Sequence, residues 1–147
     1  MIVQVTPENI KDCIPVFLQS YNQPPWNYHW TFEQAEQYLT EYTGCQQFVG
    51  FILYDQDQPV GALLGHAKTW WTGQQLMIDE IFISGQKQKM GYGKRLLAFC
   101  EEYAAEMNIN TVILMTNKYM PAYSFYNKAN YTTTEQFVFM FKQPKGK

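Results

Sequence analysis

The sequence predicts an α/β fold of the α+β type: one mixed, mostly antiparallel sheet with helices on both faces. Three observations point there. Three β-rich segments separated by short turns fill residues 48–83. Helical periodicity brackets them on either side, over 7–42 and 93–107. A short run at 111–116, apolar between its two threonines, follows the second helical stretch closely, as in a strand–helix–strand crossover. The expected order is β-α-α-β-β-β-α-β-α-β, in a single domain over 1–147, since neither a repeat nor a linker interrupts the pattern.

Residues 2–6 alternate weakly and read as the first strand. Thr6-Pro7 then offers a cap and a first-turn proline, and Ile10, Ile14, Phe17, Leu18 and Tyr21 follow at helical spacing, with Pro15 expected to kink or split the helix. Gln23-Pro24-Pro25-Trp26-Asn27 is irregular, because proline blocks both helix and central strand. Thr31-Phe32-Glu33-Gln34 has the form of a capping box, so a second helix runs over 32–42 and ends at Gly44. Strands follow at 48–54, 60–71 and 76–83, with Gly61 and Gly65 marking bulges or close backbone approach. Residues 84–93 form a Gly/Lys/Gln loop, and Leu96, Leu97, Phe99, Cys100, Tyr103, Ala104 and Met107 mark the next helix. A short helix at 122–129 and a closing strand or pair at 131–141 complete the order.

Composition narrows the class. The 147 residues are 46% apolar and 16% charged, which is globular rather than disordered. Cys13, Cys45 and Cys100 are odd in number and far apart, so they suit neither a disulfide framework nor a zinc knuckle and favour a reducing, cytoplasmic setting. No apolar run approaches the ~18 residues of a membrane span, and the opening residues lack the basic n-region of a signal peptide. The net charge of −2 argues against a general nucleic-acid binder. Charge is unevenly distributed: residues 1–67 carry one base and seven acids, whereas 68–147 carry ten bases and six acids. Lys87, Lys89, Lys94 and Arg95 cluster where there is no acid between Ile81 and Cys100, an arrangement that would attract a polyanion and would equally serve as a solvated basic face.

The most informative stretch is Ile78-Asp79-Glu80-Ile81-Phe82-Ile83 followed by Gln88-Lys89-Met90-Gly91-Tyr92-Gly93-Lys94-Arg95. A strand ends, a Gly-bearing loop turns, and a helix begins with its amides facing outward, which is the physical recipe for a phosphate cradle. It is not a Walker A loop, because Gln88 stands where that motif has Gly and Arg95 where it has Ser or Thr. It is not a dinucleotide fingerprint, because Leu96 replaces the third Gly and a meander precedes it.

Gln88-x-x-Gly91-x-Gly93 resembles the Gln/Arg-x-x-Gly-x-Gly/Ala signature of the GNAT superfamily of acetyl-CoA-dependent N-acetyltransferases. Asp79-Glu80-Ile81-Phe82-Ile83 resembles that family's central strand. Ala122-Tyr123-Ser124-Phe125-Tyr126-Asn127-Lys128-Ala129-Asn130-Tyr131 resembles its second motif, with Asn127 for the usual Glu and Asn130-Tyr131 for Gly-Phe. Asn130 suits a left-handed turn in place of Gly. The resemblance implies that acetyl-CoA is the co-substrate, held by Gln88, Lys89, Met90, Gly91, Tyr92, Gly93 and Lys94. It also implies a pantetheine arm in a V between the fourth and fifth strands, along Ile81, Phe82 and Ile83, with a strand amide near Phe82 on the thioester carbonyl, and an asparagine contact at Asn117. An amine attacks directly, and Tyr126 corresponds to the acid that protonates the leaving thiolate; a phenol with its reference pKa of about 10 is protonated at neutral pH. In this frame Glu80 is the base for the incoming ammonium, with a structural carboxylate as the competing role. Asp79 lies on the opposite face if pairing is regular, and is a substrate-side acid.

Trp26, Tyr28, His29 and Trp30 lie in a proline-held loop between the first helices, where they suit an aromatic box for a cation or sugar, or equally a lid or homodimer contact. His29 and His66 lack partners at ligand spacing, so no metal is expected. The function expected is acetyl transfer to a primary amine of a small cationic acceptor, aminoglycoside- or polyamine-like, in the cytoplasm, without nucleic acid or membrane as partner. The alternatives are acetylation of a protein N-terminus or lysine, and a non-catalytic acyl-CoA sensor.

Overall fold

The computed structural model describes residues 1–146. Five strands, β1 (Ile2–Gln4), β2 (Phe48–Asp55), β3 (Gln58–Trp70), β4 (Gly73–Ile83) and β5 (Thr111–Leu114), lie side by side in chain order. All neighbours are antiparallel except β4 and β5, which are parallel. The helices are α1 (Cys13–Tyr21), α2 (Phe32–Thr43), α3 (Tyr92–Glu106) and α4 (Pro121–Lys128). The mixed sheet and the α/β class agree with expectation. The chain forms two compact units, Met1–Met115 with the whole sheet and α1–α3, and Thr116–Lys147 with α4.

In the first unit both sheet faces are covered. Ile52, Ala62, Leu64 and Phe82 pack with Phe17 of α1 and with Ala35 and Leu39 of α2. Phe51, the neighbour of Ile52, meets Phe99 and Tyr103 of α3 edge-on, at 5.0 and 5.3 Å between ring centroids. Consecutive residues of one strand thus serve opposite layers, as pleating requires. That accounts for the unbroken apolar run in β2, which is buried on both sides.

Helix α1 starts later than Thr6-Pro7 suggests. Thr6 and Asn9 exchange side-chain bonds, with Thr6 N donating to Asn9 Oδ1 (2.8 Å) and Asn9 N to Thr6 Oγ1 (3.2 Å). A 3₁₀ turn, Ile10–Asp12, precedes Cys13. Pro15 then falls in the first turn of α1, where its missing N–H breaks no bond, so it splits the helical stretch instead of kinking it. The capping box at Thr31 is present, with Thr31 Oγ1 accepting from Gln34 N and Thr31 N donating to Gln34 Oε1.

The closing strand expected over 131–141 is absent: among the described residues no ladder forms there, and Phe137, Val138, Phe139, Met140 and Phe141 are exposed. β-Propensity is a preference for packing on a pleated surface, and without a paired strand it leaves the backbone irregular. Asn130 adopts the left-handed conformation expected of it, at φ 70°.

Strand β4 carries an irregularity and an early end to its pairing. Leu64 pairs with Glu80 and Gly65 with Ile78, so Asp79 is the extra residue of a β-bulge. Gly65 permits it, since a Cβ there would fall on the Met77 carbonyl oxygen. Pairing with β5 stops at Ile78–Leu114, while β4 continues to Ile83 along β3. β5 ends at that pair, so β4 runs on past the bulge with only β3 paired to it.

Candidate active site

Glu80 lies on the stretch of β4 beyond its last β5 pair, half-buried. Tyr21, the last residue of α1, donates its hydroxyl to Glu80 Oε1 at 2.7 Å. Tyr38, in α2, donates to Oε2 at 2.5 Å. Both carboxylate oxygens are held by phenols, and among the described residues no cationic side chain lies at ion-pair distance. Burial raises the Glu80 pKa; the two phenol bonds oppose that rise and the charge of Asp79 adds to it. Burial and the Glu80 charge together push the Tyr38 phenol far above its usual range.

Asp79 departs from expectation. Regular pairing would turn it away from Glu80, but the bulge lets both neighbouring carboxylates reach tyrosines of α2. Tyr42, one turn after Tyr38 with ring centroids 5.2 Å apart, is raised by burial and by the nearby Asp79 charge, against a bond with Tyr38 that lowers it. On its other side Asp79 Oδ2 lies 2.7 Å from His66 Nδ1. Two acids and three phenols thus share one pocket.

The loop before α2 does not form a single aromatic box. Trp26 and Tyr28 gather with Tyr21 at centroid distances of 5.8–5.9 Å, a three-ring group joined to Glu80 through the Tyr21 hydroxyl. Trp30 instead packs on Phe17 at 4.9 Å and stacks on Tyr38 at 5.3 Å, as part of the core edge. His29 is exposed and lines a separate groove of about 460 Å³ with Asn27, Tyr28, Trp30 and Gln34.

The Gly-bearing loop is built from backbone. Gly91 takes φ 83° as the N-cap of α3, and no side chain caps the helix, so its first amides are left for another acceptor. Lys89 also turns left-handed, at φ 65°. Gln88 Nε2 donates to Ile83 O at 3.1 Å, tying the loop to the end of β4. Tyr92 donates to Asp55 Oδ2 at 2.7 Å, and Lys87 Nζ lies 3.6 Å from the same oxygen. Lys89, Met90 and Lys94 are exposed, and Gly93 lies within the first turn. An anionic diphosphate fits this arrangement: uncapped amides at a helix start, with exposed lysines beside them.

The strand amides near Phe82 alternate between two sides. Ser84 N donates to Val60 O, which fixes the alternation of the ladder with β3. Two residues back, the Phe82 amide faces β3 as well, so the amides of Ile81 and Ile83 point away from β3. The Phe82 side chain is core, edge-on to Phe17 at 5.3 Å.

In the second unit Tyr126 is 7% exposed on α4 and packs between Phe125 and Tyr131, at 5.1 and 5.8 Å between centroids. The Tyr131 amide donates to the Tyr126 carbonyl. Asn117 uses Oδ1 to accept from Tyr119 N at 2.8 Å.

Comparison with known proteins decides the family. The Acetyltransferase (GNAT) family profile matches residues 15–131. The chain belongs to the GNAT acetyltransferase family. Comparison with curated protein sequences finds no match. Among solved structures, this GNAT chain resembles an integron cassette protein from the mobile metagenome of V. cholerae (TM-score 0.84, 14% identity, 99% of this chain and 93% of that one). It also resembles an aminoglycoside acetyltransferase from an uncultured soil metagenomic sample (0.77, 17%, 99% and 96%). A third is the ribosomal-protein-alanine N-acetyltransferase of Brucella melitensis biovar Abortus 2308 (0.77, 11%, 97% and 98%). At these identities the likeness is one of fold. Members of the family generally use acetyl-CoA, and among the described residues no group of three or more His, Cys, Asp or Glu is placed to hold a metal. No helix among them is long and apolar enough to cross a membrane.

Reading the sequence missed Tyr38, Tyr42 and His66 as site residues and took Tyr21 only as a periodic apolar position. The available signal was weak: Tyr38 and Tyr42 are spaced one turn apart, but both are half-buried and the same helix exposes Phe32.

Proposed function

We propose that the protein transfers the acetyl group of acetyl-CoA to the amine of a small cationic acceptor, aminoglycoside- or polyamine-like. One observation carries this reading: Glu80 is a partly buried carboxylate held by two phenols, with no cation beside it among the described residues. Such a group attracts an ammonium ion and, with its raised pKa, is a stronger base than a free carboxylate. Asp79 adds negative charge, and the Tyr21–Trp26–Tyr28 rings add faces for a cation.

When bound, acetyl-CoA supplies an activated thioester. Gln88 to Lys94 would hold its diphosphate on the uncapped amides of α3, and the amides of Ile81 and Ile83, which point away from β3, would hold its arm. Glu80 accepts a proton from the acceptor ammonium, directly or through a water, freeing the nitrogen lone pair for attack. By family resemblance Tyr126 gives its phenol proton to the departing thiolate, and Asn117 contributes a contact through its amide.

A thiol-release assay over a panel of primary amines tests the reading. Turnover with cationic small amines is expected, and silence across the whole panel overturns it. Tyr126→Phe is expected to keep acetyl-CoA affinity while kcat falls roughly 10²-fold, the scale of general acid catalysis. A loss within about threefold would return Tyr126 to a packing role.

A further inference from the structure

The polar contacts of Glu80 continue through side chains that the transfer step does not use. Glu80 Oε2 accepts from the Tyr38 hydroxyl at 2.5 Å. Tyr42, one turn on in α2, interacts through its hydroxyl with Tyr38 on one side and with Asp79 on the other. Asp79 Oδ2 lies 2.7 Å from His66 Nδ1. The series Glu80, Tyr38, Tyr42, Asp79, His66 is therefore continuous, running from β4 to α2, back to β4 and on to β3. Its last member is the better exposed of the final pair: the His66 side chain is 37% accessible, against 19% for Asp79. Two features of the fold build it. The bulge at Asp79 brings consecutive carboxylates to the same helix, and the one-turn spacing of Tyr38 and Tyr42 sets their phenols on one face. Tyr21 holds the other Glu80 oxygen, and among the described residues neither carboxylate has a lysine or arginine at ion-pair distance.

Proton balance gives this series a task. An ammonium that ends as an acetamide gives up two protons. One goes, by way of Tyr126, to the departing thiolate. The other stays on Glu80, which cannot act again until it is emptied. Both Glu80 oxygens already face phenols, so the first group the proton meets is a hydroxyl. A hydroxyl donates and accepts at once, so it can take one proton while giving another and never carry charge. Burial and the Glu80 charge hold Tyr38 far above the usual phenol range, which keeps it neutral throughout. Imidazole is the side chain whose ordinary titration lies closest to neutrality, and it suits the point of exchange with water.

We propose that Tyr38, Tyr42, Asp79 and His66 form a proton relay that empties Glu80 after each turnover and releases the proton to solvent at His66. The inference rests on the acetyl-transfer reading, which supplies the proton. In the relay, protonated Glu80 gives its proton to the Tyr38 oxygen as Tyr38 gives its own to Tyr42, and Tyr42 gives its own to Asp79. Asp79 passes the proton to His66 Nδ1, and the imidazolium loses the Nε2 proton to water or buffer. The move ends with Tyr38 donating to the Glu80 anion, the arrangement present in the structure. Exchange with water restores the Nε2–H tautomer for the next turnover.

The test is chemical rescue in the thiol-release assay, with kanamycin and spermidine as acceptors and the full chain in dilute phosphate buffer. Because the relay acts after acetyl transfer, a break in it should lower kcat while leaving kcat/KM nearly unchanged. His66→Ala is expected to lose about tenfold in kcat, and added imidazole should restore most of it. His66→Gln can still bond to Asp79 but cannot carry the proton, so it should lose as much as His66→Ala. Tyr42→Phe breaks the series inside the protein and should lose kcat without recovery in imidazole. A wild-type kcat in either His66 variant overturns the relay. So does a loss that falls on kcat/KM, or one that imidazole leaves in place in His66→Ala, since those mark a structural role. Silence of the wild-type chain on both amines is a separate failure: it overturns the transfer reading, and the relay with it.

Discussion

The Glu80 pocket and the Gln88–Lys94 loop are adjacent in sequence but made in opposite ways. The pocket is a meeting of side chains: Tyr21 and Tyr38 reach Glu80 from 59 and 42 residues away. The loop is a shape of the backbone, set by a left-handed Gly91, a left-handed Lys89 and an uncapped helix start. A side-chain site is tuned by what surrounds it, while a backbone site is tuned by which residues the turn tolerates. Substitutions should therefore separate the two: changes in the pocket act on the amine and on pH dependence, and changes in the loop act on the co-substrate.

The largest expected effect is in the pocket. Glu80→Gln preserves shape and removes the base. We expect kcat/KM to fall roughly 10²-fold near neutral pH, the scale of general base catalysis, and to recover as pH rises and free amine becomes abundant. A pH–rate profile distinguishes this from an orienting role. A loss flat across pH and confined to KM means that Glu80 only positions the ammonium.

The loop comes next. Gly91→Asp puts a Cβ at φ 83° and a negative charge where the diphosphate is expected. Acetyl-CoA affinity should drop tenfold or more by calorimetry, with the KM for amine little changed. Gly91→Ala isolates the backbone contribution. A Cβ there meets no atom within 4 Å, so its smaller loss would report conformational strain alone. Equal losses in both variants would leave charge out of the account and break the contrast between a tuned pocket and a shaped loop.

These two regions also explain what was legible in the sequence. Glycines 91 and 93 after an apolar strand advertise their backbone consequence locally, so the loop and its helix could be read directly. Glu80 was visible as an acid in an apolar strand. Its partners were not, because Tyr21 and Tyr38 differ from ordinary helix positions only through contacts the fold creates. Asp79 was placed on the opposite face only if pairing were regular, and that condition fails for a related reason. Alternation predicts the face of a strand residue only while register holds, and the bulge opposite Leu64 and Gly65 is a property of two strands together. The missing strand at 131–141 shows the same limit: its residues suit a sheet, but a strand exists only with a partner.

A subtler change probes how the phenols tune Glu80. The Tyr38 bond lowers the Glu80 pKa, against the rise caused by burial. Tyr38→Phe removes that bond and leaves the ring packing on Trp30 and Phe17. The acidic limb of the kcat/KM profile should move to higher pH, with only a few-fold loss on the plateau where Glu80 is ionised. An unmoved limb would mean that the titration seen belongs to the amine and not to Glu80.

The smallest expected effect is on stability, and its sign comes from the same group. Glu80 has a raised pKa in the folded chain, so between the ordinary carboxylate value and that raised value the folded state binds more protons than the unfolded one. Folding stability then declines as pH rises through this window, because an anion is being formed in a site that disfavours it. Above the window wild type carries the whole penalty; below the ordinary carboxylate value it carries none. Gln cannot ionise, so Glu80→Gln should melt higher than wild type near pH 8, and the gain should vanish near pH 4. Thermal melts of both proteins at the two pH values, without acceptor, measure the difference directly. A variant that melts lower than wild type near pH 8 would show that the Tyr21 and Tyr38 bonds to the anion outweigh its burial, making the carboxylate a structural anchor first. The reverse result would mark Glu80 as a residue that costs the fold stability in exchange for a base placed on β4 between the Tyr21 and Tyr38 hydroxyls.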